Sequence, residues 1–147
     1  MSARAHHTAI VVRDVGASLR FWRDGIGFDV VMDSHFDGEW PELFGVKSRR
    51  LRSIFLGDPQ QPETGIVELV TFPGEPGDAQ PVAPPGAIGF FLVSCYVDVG
   101  ATLARLAALG LGGEPRRITM PTPNGGVPMA TVIDPNGVLV ELIGTRA

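Results

Sequence analysis

Short runs of β-branched and apolar residues alternate with polar ones along this chain, and twice a run gives way to a stretch of helical spacing. Residues 7–13 are rich in β-branched side chains and end at Asp14, a residue type that caps helices. Leu19, Trp22 and Ile26 then recur at helical spacing, and Gly25 and Gly27 close that helix. Strands are predicted at residues 28–32, 51–56 and 66–72, with a long loop over 33–47. The order is repeated further on. A strand over 90–97 leads into a helix over 99–109, whose Leu103, Leu106 and Leu109 form an apolar stripe before Gly110. Strands follow near 117–120, 128–133 and 138–143, the last two joined by Asp134-Pro135-Asn136-Gly137, a hairpin signal because Asn-Gly tolerates the positive φ angles of a tight turn.

The two halves are copies. Asp14-Val15-Gly16-Ala17-Ser18-Leu19 recurs 84 positions later as Asp98-Val99-Gly100-Ala101-Thr102-Leu103. Val67-Glu68-Leu69 recurs 73 positions later as Val140-Glu141-Leu142, the smaller offset reflecting a longer internal loop in the first half. The expected fold is therefore α+β, with tandem βαβββ modules over 1–72 and 87–147 in a single domain. Residues 73–86, dense in Pro and Gly, form the connector.

At 147 residues and 44% hydrophobic, the chain is long enough for one substantial core. A net charge of −4 leaves no cationic surface for a polyanion, since only Arg49, Arg50 and Arg52 and the pair Arg116 and Arg117 cluster, so nucleic acid is not an expected partner. The single cysteine, Cys95, allows no internal disulfide, and no apolar run approaches the ~20 residues of a membrane helix. A cytoplasmic location without membrane attachment is the expectation.

The pattern His7-x4-Val12-x-Asp14-x3-Ser18-Leu19-x-Phe21-Trp22, then Gly27-Phe28, Val67-Glu68-Leu69 and Asp134-Pro135-Asn136-Gly137 before Val140-Glu141-Leu142 resembles the vicinal oxygen chelate superfamily of glyoxalases, bleomycin resistance proteins and extradiol dioxygenases. The resemblance spans nearly the whole chain. It implies paired curved sheets enclosing one small-molecule cavity, and four inward positions able to ligate one divalent metal. Carried over, those positions are His7, Glu68 and Glu141, and a third that the 84-residue offset assigns to Phe91, which has no metal donor. The implied cofactor is Mn, Ni, Co, Fe or Zn, held by three ligands or absent because of Phe91.

Alternation sets His7 with Ala9 and Val11, Glu68 with Ile66 and Val70, Glu141 with Leu139 and Ile143, and Phe91 with Val93 and Cys95. Each glutamate thus stands on an apolar face, where a shared cation gives the pair a common explanation. A solvated strand residue is the competing reading for either one alone. Phe91, Val93, Cys95, Trp22 and Trp40 are the expected pocket side chains, and His6 is expected on the opposite face. His35 belongs to the 33–47 loop. The resemblance implies a lyase or isomerase acting through an enediolate, with Glu68 or Glu141 as base. The rival is a metal-independent, bleomycin-resistance-like binding protein. Ring-cleaving dioxygenase chemistry is disfavoured because Phe91 removes one His of its triad. A homodimer acting on a small molecule is expected.

Overall fold

A computed structural model describes residues 2–145; the outermost residues of the two expected modules, Met1, Arg146 and Ala147, lie outside them. The first half runs β1 (His7–Val11), α1 (Val15–Leu19) continuing as a π-helical segment (Arg20–Ile26), β2 (Asp29–Asp37), α2 (Trp40–Phe44), β3 (Arg50–Gly57) and β4 (Ile66–Thr71). The second runs β5 (Val93–Val97), α3 (Val99–Ala108), β6 (Gly112–Thr122), β7 (Gly125–Ile133) and β8 (Leu139–Gly144). Each half builds a four-stranded sheet, ordered β1-β4-β3-β2 and β5-β8-β7-β6. In both, the first strand pairs in parallel with the last and the other pairings are antiparallel. This is the α+β, tandem βαβββ architecture that the repeat predicts.

Two strands are longer than apolar patterning shows. β2 continues through Asp33 to Asp37, in what was expected to be loop. Its polar residues lie opposite β3, where Arg52 donates to both oxygens of Asp33 at 2.9 and 2.8 Å and Arg50 stands 3.7 Å from Asp37. Cross-strand ion pairs on a wet face leave no hydrophobic signature. His35 is accordingly a strand residue, opposite Arg52. β6 begins at Gly112 rather than near 117 for a similar reason, since residues 113–121 are all exposed.

By packing, the chain divides into two compact units: residues 1–16 with 28–78, and residues 17–27 with 79–147. The helical stretch 17–27, first-half in sequence, thus belongs to the second unit. Arg105 of α3 donates to the carbonyls of Gly25 and Ile26 at 3.1 and 3.5 Å, and Arg20 donates to that of Leu109 at 3.3 Å. Gly25 permits the contact: a Cβ there would sit 2.4 Å from Leu106 Cδ2. The π-helical turn closes with the Gly27 N–H donating to the Trp22 carbonyl at 3.2 Å and Gly27 at φ 106°. Its wider turn buries two adjacent pairs, Phe21 with Trp22 and Gly25 with Ile26.

The Asp134-Pro135-Asn136-Gly137 turn is tied to the same stretch. Asp134 is 4% exposed. Its Oδ1 accepts from the backbone N–H groups of Asn136 and Val138, both at 2.8 Å, and its Oδ2 accepts from the Trp22 indole at 3.2 Å and the Asn136 amide at 3.1 Å. Asn136 also donates to Ser18 Oγ at 3.1 Å. Gly137 alone takes a positive φ here, 85°, so the turn is not the two-residue kind in which both central residues are left-handed. The segment that carries the resemblance most specifically is therefore a structural staple.

Candidate active site

On the first sheet, Ile10, Val12, Ile54, Leu56, Val67 and Leu69 are buried on one face. The opposite face carries His7, Ala9 and Val11 beside Glu68, as alternation predicts. Glu68 is the polar centre of that face. Its side chain is 15% exposed; Oε1 lies 3.4 Å from His7 Nε2, and Oε2 accepts a short hydrogen bond from the Ser53 hydroxyl. Ser53 is itself 2% exposed. His6, expected on the other face, joins this one: its Nδ1 is 2.7 Å from His7 Nδ1, one donating to the other, and its ring centroid is 5.8 Å from that of Phe55. His6 precedes β1, so strand alternation does not govern it. The His7 ring lies 5.6 Å from Phe55.

On the second sheet, Glu141 pairs in register with Ser94 and Thr131. The Ser94 hydroxyl donates to Glu141 Oε1 at 2.9 Å. The face is therefore that of Ser94 and Tyr96. Val93 and Cys95, expected in the pocket, lie instead on the packed face with Val140 and Leu142, at 9% and 7% exposure. Burial pushes the Cys95 thiol up to about 12, which keeps it protonated.

Strand pairing also relocates the third ligand position. Ala9 faces Glu68 as Ser94 faces Glu141, and Val11 faces Val70 as Tyr96 faces Ile143, an offset of 85 in the strands against 84 in the helices. The loop from strand to helix is one residue shorter in the second half. The counterpart of His7 is consequently Leu92, not Phe91. Leu92 has no metal donor either. Phe91 lies outside β5 and is 64% exposed.

The two tryptophans separate. Trp22 is wholly buried and belongs to the core rather than to a pocket wall. Trp40 sits in α2, donates to the Phe36 carbonyl at 3.1 Å and stacks on Phe44 at 5.6 Å. Among the described residues no three His, Cys, Asp or Glu side chains gather so as to hold a metal ion. His7 meets Glu68, Glu141 is engaged by Ser94, and Leu92 contributes nothing. Within the first unit His7 and Glu68 bring together one imidazole and one carboxylate, by themselves fewer donors than a tightly held divalent ion takes from a protein.

The family model for the glyoxalase/bleomycin resistance protein/dioxygenase superfamily matches residues 4–142. The chain belongs to this superfamily. It is 35% identical over 146 residues to a lactoylglutathione lyase-like protein of Aspergillus terreus, covering 94% of this chain and 73% of that one. Among solved structures, a glyoxalase family protein from Bacillus cereus matches with a TM-score of 0.76 at 20% identity, over 100% of this chain and 97% of that chain. The trypanothione-dependent glyoxalase I of Leishmania major matches at 0.60 and 24%, over 97% of this chain and 87% of that one. These two likenesses show the glyoxalase-superfamily fold. Among the described residues no helix is long and apolar enough to cross a membrane.

Proposed function

We propose that the chain is a glyoxalase- or epimerase-like lyase or isomerase in which Glu68 moves a proton on a small carbonyl substrate. The observation that carries this reading is Glu68, its side chain 15% exposed, held between His7 Nε2 at 3.4 Å and the buried Ser53 hydroxyl. A positioned carboxylate with one oxygen fixed by a neutral donor can accept a proton from the carbon beside a carbonyl. On an α-hydroxycarbonyl substrate the C–H electron pair moves into the carbonyl, giving an enediolate, and the carboxyl then returns the proton to the former carbonyl carbon while the hydroxyl proton of the first carbon passes to the alkoxide oxygen. His7 Nε2, 3.4 Å from Glu68 Oε1, orients the carboxylate for this step. Glu141, held by Ser94, is the second candidate base.

Mass-spectrometric uptake of solvent deuterium into the hemithioacetal of methylglyoxal and glutathione, and into a panel of 2-oxo compounds, tests the reading. Glu68→Gln should slow exchange about a hundredfold or more. Unchanged exchange in that variant would overturn it. A second reading, metal-independent small-molecule binding, is favoured by the exposed Phe91 and predicts ligand binding that Phe91→Ala weakens and Glu68→Gln leaves alone. The same proposal takes the chain as one functional domain in a cytoplasmic homodimer. The end strands of the two sheets offer edges to a second copy, and solution scattering over a range of concentrations tests the mass.

A further inference from the structure

We infer that Arg116 and the Glu141 face of the second sheet bind a small apolar carboxylate. This goes beyond the proton transfer above and does not require Glu68 to be the base. Ser94 pairs with Glu141, Glu141 with Thr131 and Thr131 with Arg116, so four polar side chains form one row straight across the sheet. The next row is Tyr96, Ile143, Met129 and Ile118. Tyr96 is 79% exposed and Ile118 55%. Exposed apolar side chains gathered on one face mark a binding surface rather than a solvated one. A pocket of ≈ 430 Å³ opens beside them, lined by Tyr96, Val127, Ile143, Gly144 and Thr145. It is large enough for a ring or a short acyl chain.

Arg116 supplies the anchor. Among the described residues it makes no ion pair, and its neighbour Arg117 faces the other way, its guanidinium 3.8 Å from where a Cβ on Gly100 of α3 would stand. The Glu141 face thus holds one unpaired cation at the margin of an apolar floor. A guanidinium binds a carboxylate through two parallel hydrogen bonds. With Glu141 in the same row and a net charge of −4 on the chain, a monoanion suits the face better than a phosphate dianion. Two strand spacings, about 10 Å, separate the Arg116 and Glu141 backbones. The ligand therefore sets its carboxylate at Arg116 and lays its apolar body over the neighbouring floor, its far end toward Met129 and Ile143.

Calorimetric titration with 4-phenylbutyrate and its neutral isostere 4-phenylbutyramide tests this. The acid should bind the wild type about tenfold or more tightly than the amide. Arg116→Gln should bring the two to equal affinity without weakening the amide, Arg116→Lys should keep part of the difference, and Arg117→Gln should change nothing. Unaltered circular dichroism in each variant shows that the fold is kept. The inference is overturned if acid and amide bind the wild type alike, if neither binds at millimolar concentration, if Arg117→Gln acts as Arg116→Gln does, or if inorganic phosphate competes as well as the acid. It is also overturned if ligand affinity falls as a second copy associates over the face. Loss of acid preference in Arg116→Gln alongside normal deuterium exchange in Glu68→Gln would uphold this site while removing the proposed base.

Discussion

Asp134→Ala tests the staple between the last hairpin and the first helix. The carboxylate accepts four hydrogen bonds, two from backbone N–H groups at 2.8 Å and two from the Trp22 indole and Asn136 amide at 3.2 and 3.1 Å. Trp22 is fully buried, so its indole N–H has no water to turn to. An orphaned buried donor costs about 1–3 kcal/mol. The Asn136 and Val138 amides are half-buried and can reach water, so each adds about 0.5–1 kcal/mol. Relief from burying a carboxylate offsets part of the sum, leaving a net loss of roughly 2–4 kcal/mol. Against a total stability of about 5–15 kcal/mol this is large. With a urea slope of about 1–3 kcal/mol/M, the midpoint should fall by roughly 1–2 M. Asp134→Asn separates the parts. It retains an oxygen for the two backbone donors but turns an NH₂ toward the Trp22 indole, so it should keep the turn and lose the tie to the helix. A cycle with Trp22→Phe should then show coupling of about 1 kcal/mol or more for Asp134→Ala. A loss below about 1 kcal/mol in Asp134→Ala, or additive behaviour with Trp22→Phe, would refute the assignment.

Other consequences follow from particular residues. Gly25→Ala places a methyl 2.4 Å from Leu106 Cδ2 and should destabilise by about 1–3 kcal/mol in urea melts, with partial rescue by Leu106→Ala; a stabilised variant would contradict the helix contact. Cys95, its thiol pushed up to about 12 by burial, should resist thiol reagents at pH 8 until denaturant is added, and rapid labelling of native protein would rule out the packed position. The Arg52 guanidinium lowers the Asp33 carboxyl below its ordinary 3.8, so the pair's contribution is complete above that pH and fades as acid protonates Asp33 in the folded state. Arg52→Gln should therefore be less stable than the wild type by about 0.2–1 kcal/mol near neutrality and equal to it in strong acid, and a gap that widens in acid would reverse the argument.

The repeat makes the architecture legible because duplicated modules repeat both their apolar spacing and their sheet order. Three features escape that reading, each for a physical reason. β2 is extended by charged residues that pair across strands in water and β6 by exposed residues, and hydropathy patterning registers neither. The π-helical turn at Arg20–Ile26 has no spacing of its own, since Leu19, Trp22 and Ile26 suit an ordinary helix equally well. The Phe91 assignment fails because one offset was applied to helix and strand alike, although the second half is a residue shorter between them. A signal was present: Val93 and Cys95 are the apolar members of β5 and Ser94 and Tyr96 the polar ones, which already places the buried side. Arg116 had no such signal. As one of a basic pair with Arg117 it reads as solvated until strand pairing shows which of the two shares a face with Glu141.

The duplication also lets each sheet serve as a comparison for the other. The row across the first sheet at Glu68 is Ala9, Glu68, Phe55 and Met32, and the equivalent row across the second is Ser94, Glu141, Thr131 and Arg116. The glutamates are equivalent, but their company is not. Glu68 stands in an apolar row, and among the described residues its polar side-chain partners, His7 and Ser53, come from the rows beside it. That surrounds the carboxylate with few groups that could compete for a substrate proton. Glu141 stands among hydroxyls and a guanidinium, groups suited to hold the polar parts of a ligand without reacting. Copies of one module can diverge in this way at little cost to folding, because exposed row residues such as Ala9, Ser94 and Arg116 contribute less to stability than the buried Val67, Leu69, Val140 and Leu142. Ligand choice can then drift through the proposed Arg116 site while the row at Glu68, the proposed base, stays as it is.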